Sequence, residues 1–333
     1  MAGETESMDG RRKTAALLAL CAGCLAIGSG CSLLDRRPKT PPLPAVLPPS
    51  PSLSQVMEAV NNNSRQIQSF STAEGELSGP GIPVTLRGTN IAFERPRRLR
   101  IRAGTGLTGS ELDVGSNDEL FWFWIRRNNP PAVFFCRHNQ FASCAASRMM
   151  PMEPAWLIEA FGIVELAPGE RHEGPFERPD GHLEVVSIRQ SPCGEVRKKT
   201  VIDRSSAAVL EQHLYDQYGR LSASAVAREH RRDPLSALIM PRVIDLQCPQ
   251  AQFSMRVNLG NVAINQPFGN AETLWTMPTG GGWPLVDLAD PNWPQMLGGQ
   301  PQQPQQQPQQ QPAMIPEISS FPEAPRREFN RLR

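Results

Sequence analysis

The sequence predicts a mainly β fold with few helices, built around an antiparallel sheet. Short runs that alternate apolar and polar residues recur between residues 70 and 259, and clusters of Gly and Pro separate them. Only two segments between residues 52 and 259 show the three- and four-residue apolar spacing of a helix. Because strands joined by tight turns run in opposite directions, this order favours antiparallel hairpins over crossover connections.

The first helix begins after Ser52. This serine can cap the helix, and Gln55 stands where the partner residue of a capping box belongs. An apolar stripe at helical spacing then falls on Leu53, Val56, Met57 and Val60. Both signals together predict an amphipathic helix with one buried face.

Two series of strands follow, with the second helix between them. The first series is predicted at 70–78, 83–94, 97–103, 110–114, 120–126 and 132–137. The helix is predicted at 153–161, with Pro154 in its first turn and Gly162 ending it. The second series is predicted at 183–189, 196–203, 209–215, 221–228, 243–246 and 253–259.

The first 30 residues have the pattern of a signal peptide. Three basic residues at positions 11–13 precede a charge-free segment at 14–30, which ends in small residues before Cys31. This arrangement resembles the lipobox of bacterial lipoproteins, in which the cysteine is lipidated and the chain is cut before it. Cys24, which also follows small residues, is a competing site, and an uncleaved anchor helix is the other interpretation.

The segments on either side of the predicted domain are rich in proline. Residues 31–51 comprise the predicted lipidated cysteine and a Pro-rich tether, which could hold the domain up to ~60 Å from the membrane. Residues 274–333 are rich in Pro, Gly and Gln and are predicted to be disordered, although Trp275, Trp283 and Trp293 could still dock. These boundaries leave residues 52–273 as the β domain.

Three features of the first strand series bear on function. The strand at 120–125 reads LFWFWI and is apolar on both faces, so a helix, a ligand or a partner must cover the face that the core does not. The row Arg98, Arg100 and Arg102 indicates a solvated face or contacts with acidic lipid headgroups. Leu107 lies at the tip of a Gly-rich turn, where it either packs back on the domain or touches a membrane or an acyl chain.

Several kinds of chemistry find no support in the sequence. The balance of 34 Lys and Arg against 33 Asp and Glu disfavours a nucleic-acid partner. No catalytic motif, phosphate-binding loop or metal-ligand spacing is present, so neither an enzyme, a cofactor nor a metal site is expected. Four cysteines follow Cys31 in a chain predicted to be exported, which makes disulfides plausible with the connectivity open: Cys136, Cys144, Cys193 and Cys248.

The chain resembles the LolA/LolB lipoprotein-sorting family, most closely the outer-membrane receptor LolB. The residues that carry the resemblance are the helix from Leu53, the FSTAEGEL strand, and IAFERPRRLRIR at 91–102, which matches an F-x-x-P-x-x-L/F-R pattern. The stretches at 107–114 and 152–163 resemble the segment after the protruding loop of LolB and the small helix of the family. The proline-rich tether, the Gln/Pro tail and the four cysteines depart from the family.

The resemblance implies an open, strongly curved antiparallel sheet, or half-barrel, whose apolar concave side is covered by helices and holds acyl chains. Leu107 would be the acyl transfer residue, and the groove would be lined by Trp122, Phe123, Trp124, Trp156 and Phe161. The expected function is a lipid-anchored envelope protein that binds lipid or lipoprotein acyl chains, in the outer membrane facing the periplasm. The alternatives are a sensor or assembly protein with a peptide in the same groove, and a structural lipoprotein.

Overall fold

The chain forms one large open sheet. A computed structural model describes residues 41–293 except 81, 130, 144–153, 192–193 and 270. The helices are α1 (Leu53–Gln66), α2 (Pro154–Ala160) and the short α3 (Ala271–Leu274), with 3₁₀ helices at His138–Ser143 and Pro249–Ala251. The first strands are β1 (Ser69–Gly79), β2 (Ile82–Glu94), β3 (Arg98–Thr105), β4 (Gly109–Ser116), β5 (Leu120–Ile125) and β6 (Val133–Arg137).

The remaining strands follow α2. They are β7 (Arg171–Glu177), β8 (Leu183–Ser191), β9 (Gly194–Ile202), β10 (Val209–Tyr215), β11 (Leu221–Arg228), β12 (Arg231–Arg232), β13 (Ile239–Met240), β14 (Val243–Cys248), β15 (Phe253–Asn258), β16 (Ala263–Ile264) and β17 (Leu285–Asp287). All strands predicted from the pattern are confirmed within a few residues. Strand β7 and the two- and three-residue strands were not predicted, because they are too short or too polar to show alternation.

Two antiparallel meanders share the sheet. The strand order of the large sheet is β17-β6-β5-β4-β3-β2-β1-β15-β14-β11-β10-β9-β8-β7, and β16 pairs with β1. Strands β12 and β13 form a separate hairpin. The two series meet where β15 pairs with β1. Since the end strands β17 and β7 do not pair, the sheet stays open, as predicted. Strand β17 runs parallel to β6, and its pairing is the parallel exception among the described strand pairs.

Helix α1 begins as predicted and packs against the second strand series. Ser52 and Gln55 form the capping box, with the Gln55 amide donating to the Ser52 hydroxyl at 3.3 Å. Val56 and Val60 are buried with Leu183 of β8 and other apolar side chains of that half of the sheet. At the other end of the helix, the Arg95 guanidinium donates to the Ser64 carbonyl at 2.7 Å. The helix is therefore fastened at both ends.

The last part of the predicted tether is docked on the domain. The Val46 and Leu47 amides donate to the Ser205 carbonyl at 2.8 and 3.1 Å, and Arg204 donates to the Pro49 carbonyl at 2.7 Å. Leu47 also packs beside the apolar face of α1. The prediction of a free tether to residue 51 is therefore corrected, because residues 46–49 are bound to the domain.

Candidate functional site

The inner face of the sheet carries most of the apolar core. Strand register places Ile91, Ile101, Val114 and Phe123 side by side on one face of β2 to β5. Helix α2 packs on this face, since Trp156 and Phe161 share one buried cluster with Ile91 and Ile101. The Phe161 ring lies 6.1 Å from the ring of Phe70 in β1. Three of the five predicted groove residues, Phe123, Trp156 and Phe161, therefore belong to the inner face.

Helix α2 is held in place from the second half of the sheet. Lys198 of β9 forms an ion pair with Glu159 at 2.7 Å, and the Gln212 side chain of β10 donates to the Glu159 carbonyl at 3.0 Å. Both sheet residues are largely buried. Contacts from β9 and β10 thus fix one side of the helix, while its other side borders an open space.

That space is a cavity of about 350 Å³ between α2, the β2–β3 turn and the 3₁₀ helix after β6. Ile158 and Ile163, both buried, give it an apolar wall, while Arg95 and Arg97 stand beside Glu159 and Glu165 in the rest of the lining. His138 also lines the cavity, and burial lowers the pKa of its ring, although the ring also hydrogen-bonds to the Asn117 carbonyl. An apolar wall beside charged groups of both signs suits an amphiphilic ligand.

The outer face of β5 is covered by the chain itself. Trp122 and Trp124 pair with Gly115 and Asp113 of β4, so their rings lie on the face opposite Phe123. Trp122 is fully buried, and a Cβ atom on Gly115 would stand 2.1 Å from its ring, so only glycine fits beneath it. The assignment of Trp122 and Trp124 to the groove is therefore wrong, because strand alternation places them on the other side of the sheet.

The cover is the C-terminal strap, residues 274–288. Trp275 and Leu288 are buried, the Trp283 ring lies 5.8 Å from the ring of Trp124, and β17 extends the sheet beyond β6. The compact unit that contains the sheet extends to Pro291. The predicted boundary at residue 273 is corrected, since the disordered tail had been expected to begin at 274. The strap therefore covers the outer face of LFWFWI, where a helix, a ligand or a partner had been expected.

Arg100 fastens the strap to the sheet. Its guanidinium donates to Asp113 at 2.6 Å, to the Thr276 carbonyl at 2.6 Å and to the Leu274 carbonyl at 3.3 Å. The same group lies 4.8 Å from the centre of the Trp122 ring. Burial lowers the pKa of Arg100, and the charge of Asp113 opposes that effect. The predicted solvated row of arginines is therefore wrong for Arg100, while Arg98 and Arg102 remain partly exposed.

Leu107 stands at the tip of the β3–β4 hairpin and is 99% exposed, so the alternative that it packs back on the domain is excluded. The turn beneath it is braced: the Thr108 amide donates to the Thr105 hydroxyl at 3.0 Å, and Arg126 donates to the Thr108 carbonyl. A Cβ atom on Gly104 would meet the Gly109 carbonyl oxygen at 2.4 Å, which explains a glycine there. The hairpin thus presents one leucine to solvent on a defined backbone.

The predicted cysteine sites are only partly described. Cys136 and Cys248 are buried, and burial raises the pKa of the Cys248 thiol to about 12, which keeps it protonated. Cys144, Cys193 and the predicted lipidation site Cys31 lie outside the described residues. The disulfides stay a prediction. Among the described residues, no helix is long and apolar enough to cross a bilayer, and no acidic, His or Cys cluster could hold a metal.

Neither a protein-family model nor a curated protein sequence matches the chain. Solved structures do match. The chain resembles LolA-superfamily structures. One is an outer-membrane lipoprotein-sorting domain from Vibrio parahaemolyticus, at 11% identity and a TM-score of 0.42, covering 66% of this chain and 98% of that one. A LolA-superfamily protein from Nitrosomonas europaea matches at 8% sequence identity and a TM-score of 0.41, covering 66% of this chain and 97% of that one. A DUF1329-family protein from Desulfovibrio piger matches at 13% sequence identity and a TM-score of 0.41, covering 65% of this chain and 95% of that one.

Proposed function

We propose that this chain is a lipid-anchored envelope protein of the LolA/LolB-like group that holds an acyl chain between α2 and the inner face of its sheet. The observation that carries the proposal is Leu107, which is 99% exposed at the tip of a braced hairpin. Transfer of that side chain from water into an apolar phase is worth ~1.5–3 kcal/mol, which supports a use in which the hairpin tip enters a membrane. The hairpin would hand the bound chain to a membrane.

The cavity beside α2 supports the ligand class. Its volume of about 350 Å³ falls in the range of ~300–1,000 Å³ that is usual for small-molecule sites. The apolar wall at Ile158 and Ile163 suits an acyl chain. The lining also carries Arg95 and Arg97 beside Glu159 and Glu165, so it suits a polar headgroup without fixing the sign of its charge. An acyl chain gains ~0.8 kcal/mol per buried methylene, so affinity for fatty acids should rise about fourfold with each added carbon.

Replacing Leu107 by Glu should leave fatty-acid binding intact and slow delivery of a fluorescent fatty acid to liposomes by about tenfold or more. Burial of a leucine side chain is worth ~1.5–3 kcal/mol, and a carboxylate cannot replace it in the bilayer. The measurement is the rate of fluorophore transfer to vesicles. Leu235→Glu is the matched control, since Leu235 is 86% exposed in the separate β12–β13 hairpin.

Unchanged delivery by the Leu107→Glu variant would remove the transfer role of the hairpin. A wild-type protein that binds no fatty acid of any length would contradict the acyl-chain proposal. The same cavity would then be assigned to a peptide or protein partner, as in the sensor hypothesis.

The membrane anchor in this proposal is Cys31. The charge-free segment that ends in small residues before it supports lipidation there. Replacing Cys31 by Ala should abolish labelling with a fatty-acid analogue and leave an unprocessed precursor that migrates more slowly on a gel. The Cys24→Ala variant is the control and should be labelled and processed normally. Labelling that is lost only in the Cys24 variant would move the anchor to that residue. We propose that the protein lies in the outer membrane and faces the periplasm, which its resemblance to LolB supports.

A further inference from the structure

The strap brings further apolar side chains to the surface near the β3–β4 hairpin. Trp283 is 40% exposed and Leu285 is 41% exposed, and both lie on the strap. The stretch from Thr279 to Leu285 is exposed throughout, so this part of the strap covers the sheet less completely than Trp275 does. Both side chains keep part of their apolar surface in water, and its burial in an apolar phase would be favourable.

Strand register relates these residues to Leu107. Leu285 pairs with Val133, Val133 with Trp124, and Trp124 with Asp113, which lies four residues after Gly109 in β4. With strands about 4.8 Å apart and a rise of about 3.4 Å per residue, Leu285 lies about 20 Å from the base of the hairpin turn. The path that joins them crosses β6 and β5 to β4.

The charged groups between these two places present positive charge to solvent. Arg127 is 62% exposed while its partner Glu111, at 3.7 Å, is 11% exposed. Arg102 is 49% exposed while its partner Asp113, also at 3.7 Å, is 15% exposed. Exposed Arg126 directly precedes Arg127 and donates to the Thr108 carbonyl in the hairpin turn. Since the carboxylates are buried and the guanidinium groups are not, this edge is outwardly cationic.

We infer that the strap and the hairpin form a single docking edge for an anionic phospholipid bilayer, with Trp283 and Leu285 as a second insertion point beside Leu107. Tryptophan is favoured at the membrane–water interface, leucine enters the acyl region, and exposed arginines attract anionic headgroups. Two separate apolar points joined by cationic side chains suit a lipid surface better than a protein interface, which needs a continuous packed patch. This inference rests on the membrane contact in the proposed function and extends it to the strap.

The test measures how close Trp283 comes to lipid. The full-length protein is held on vesicles by its own N-terminal segment, and its fluorescence is quenched with brominated phosphatidylcholine. The part of the quenching that disappears in the Trp283→Phe variant belongs to Trp283. We expect quenching of Trp283 in vesicles that contain phosphatidylglycerol. This quenching should fall about fivefold in vesicles without that lipid, or at about 1 M salt, because salt screens the charges of the arginines.

Two variants complete the test. Leu285→Glu should abolish the Trp283 component of the quenching, while Leu235→Glu should leave it unchanged. Equal quenching of wild type and Trp283→Phe, or a Leu285→Glu variant that behaves as wild type, would overturn the docking edge. Fatty-acid binding is measured separately on the same variants. Loss of docking with binding intact contradicts this inference alone, whereas absence of binding in the wild type contradicts the proposed function.

Discussion

Ending the chain after residue 273 is expected to lower the melting temperature by about 10–20 °C or to prevent folding. The truncation exposes Trp122 and Trp124 and removes the buried Trp275. A buried tryptophan removes ~150–250 Å² from water, which at ~25 cal/mol per Å² is worth about 5 kcal/mol. A loss of that size is a large share of the ~5–15 kcal/mol that stabilises a typical domain.

A chain that ends after residue 293 is the matched control. It keeps the strap and β17 and lacks residues 294–333, in which residues 300–312 are all Gln or Pro. Its melting temperature should equal that of the full chain within a few degrees, because such a segment cannot bury a core. Thermal unfolding followed by circular dichroism or calorimetry compares the chain that ends after residue 273 with the chain that ends after residue 293. Equal stability of both truncated chains would show that the strap contributes little to folding.

Replacing Arg100 by Ala is expected to destabilise the domain by about 3–5 kcal/mol. The side chain is 2% exposed and its partner Asp113 is 15% exposed, so the variant leaves a mostly buried carboxylate without its cation. It also leaves the Leu274 and Thr276 carbonyls without the donor that reaches them from the sheet. Urea denaturation should show a lower midpoint, and protease should cut the strap faster.

Arg98 is the matched control on the same strand and the same face. Its ion pair with Asp118 is 35% and 50% exposed, so Arg98→Ala should cost no more than ~1 kcal/mol. The double variant Arg100→Ala, Asp113→Ala should recover part of the loss if the stranded carboxylate causes it. Equal destabilisation by Arg98→Ala and Arg100→Ala would mean that burial of the Arg100–Asp113 pair does not increase its contribution to the free energy of unfolding.

Local patterns in the sequence were enough to predict most elements. The Ser52 and Gln55 capping box and the Val56 stripe depend on neighbours within one or two turns, and both were confirmed. The strands β2 and β3 were likewise predicted, and the structure adds that Ile91 and Ile101 pair across them and share the core. These features depend on neighbouring residues or on the two-residue period of a strand, so the local sequence is enough to predict them.

The sequence also determined that LFWFWI needs cover on both faces, and that Leu107 lies in a glycine-rich turn. The tertiary structure alone decided what provides the cover and whether Leu107 is exposed. Arg100 is buried because carbonyls 174 and 176 residues away accept its hydrogen bonds, which no spacing rule reveals. Residues 285–287 lie in a segment whose Pro, Gly and Gln content favours disorder, yet β6 supplies the partner strand that a three-residue strand needs. Long-range partners thus fixed the strap, the faces of the two tryptophans and the exposed leucine.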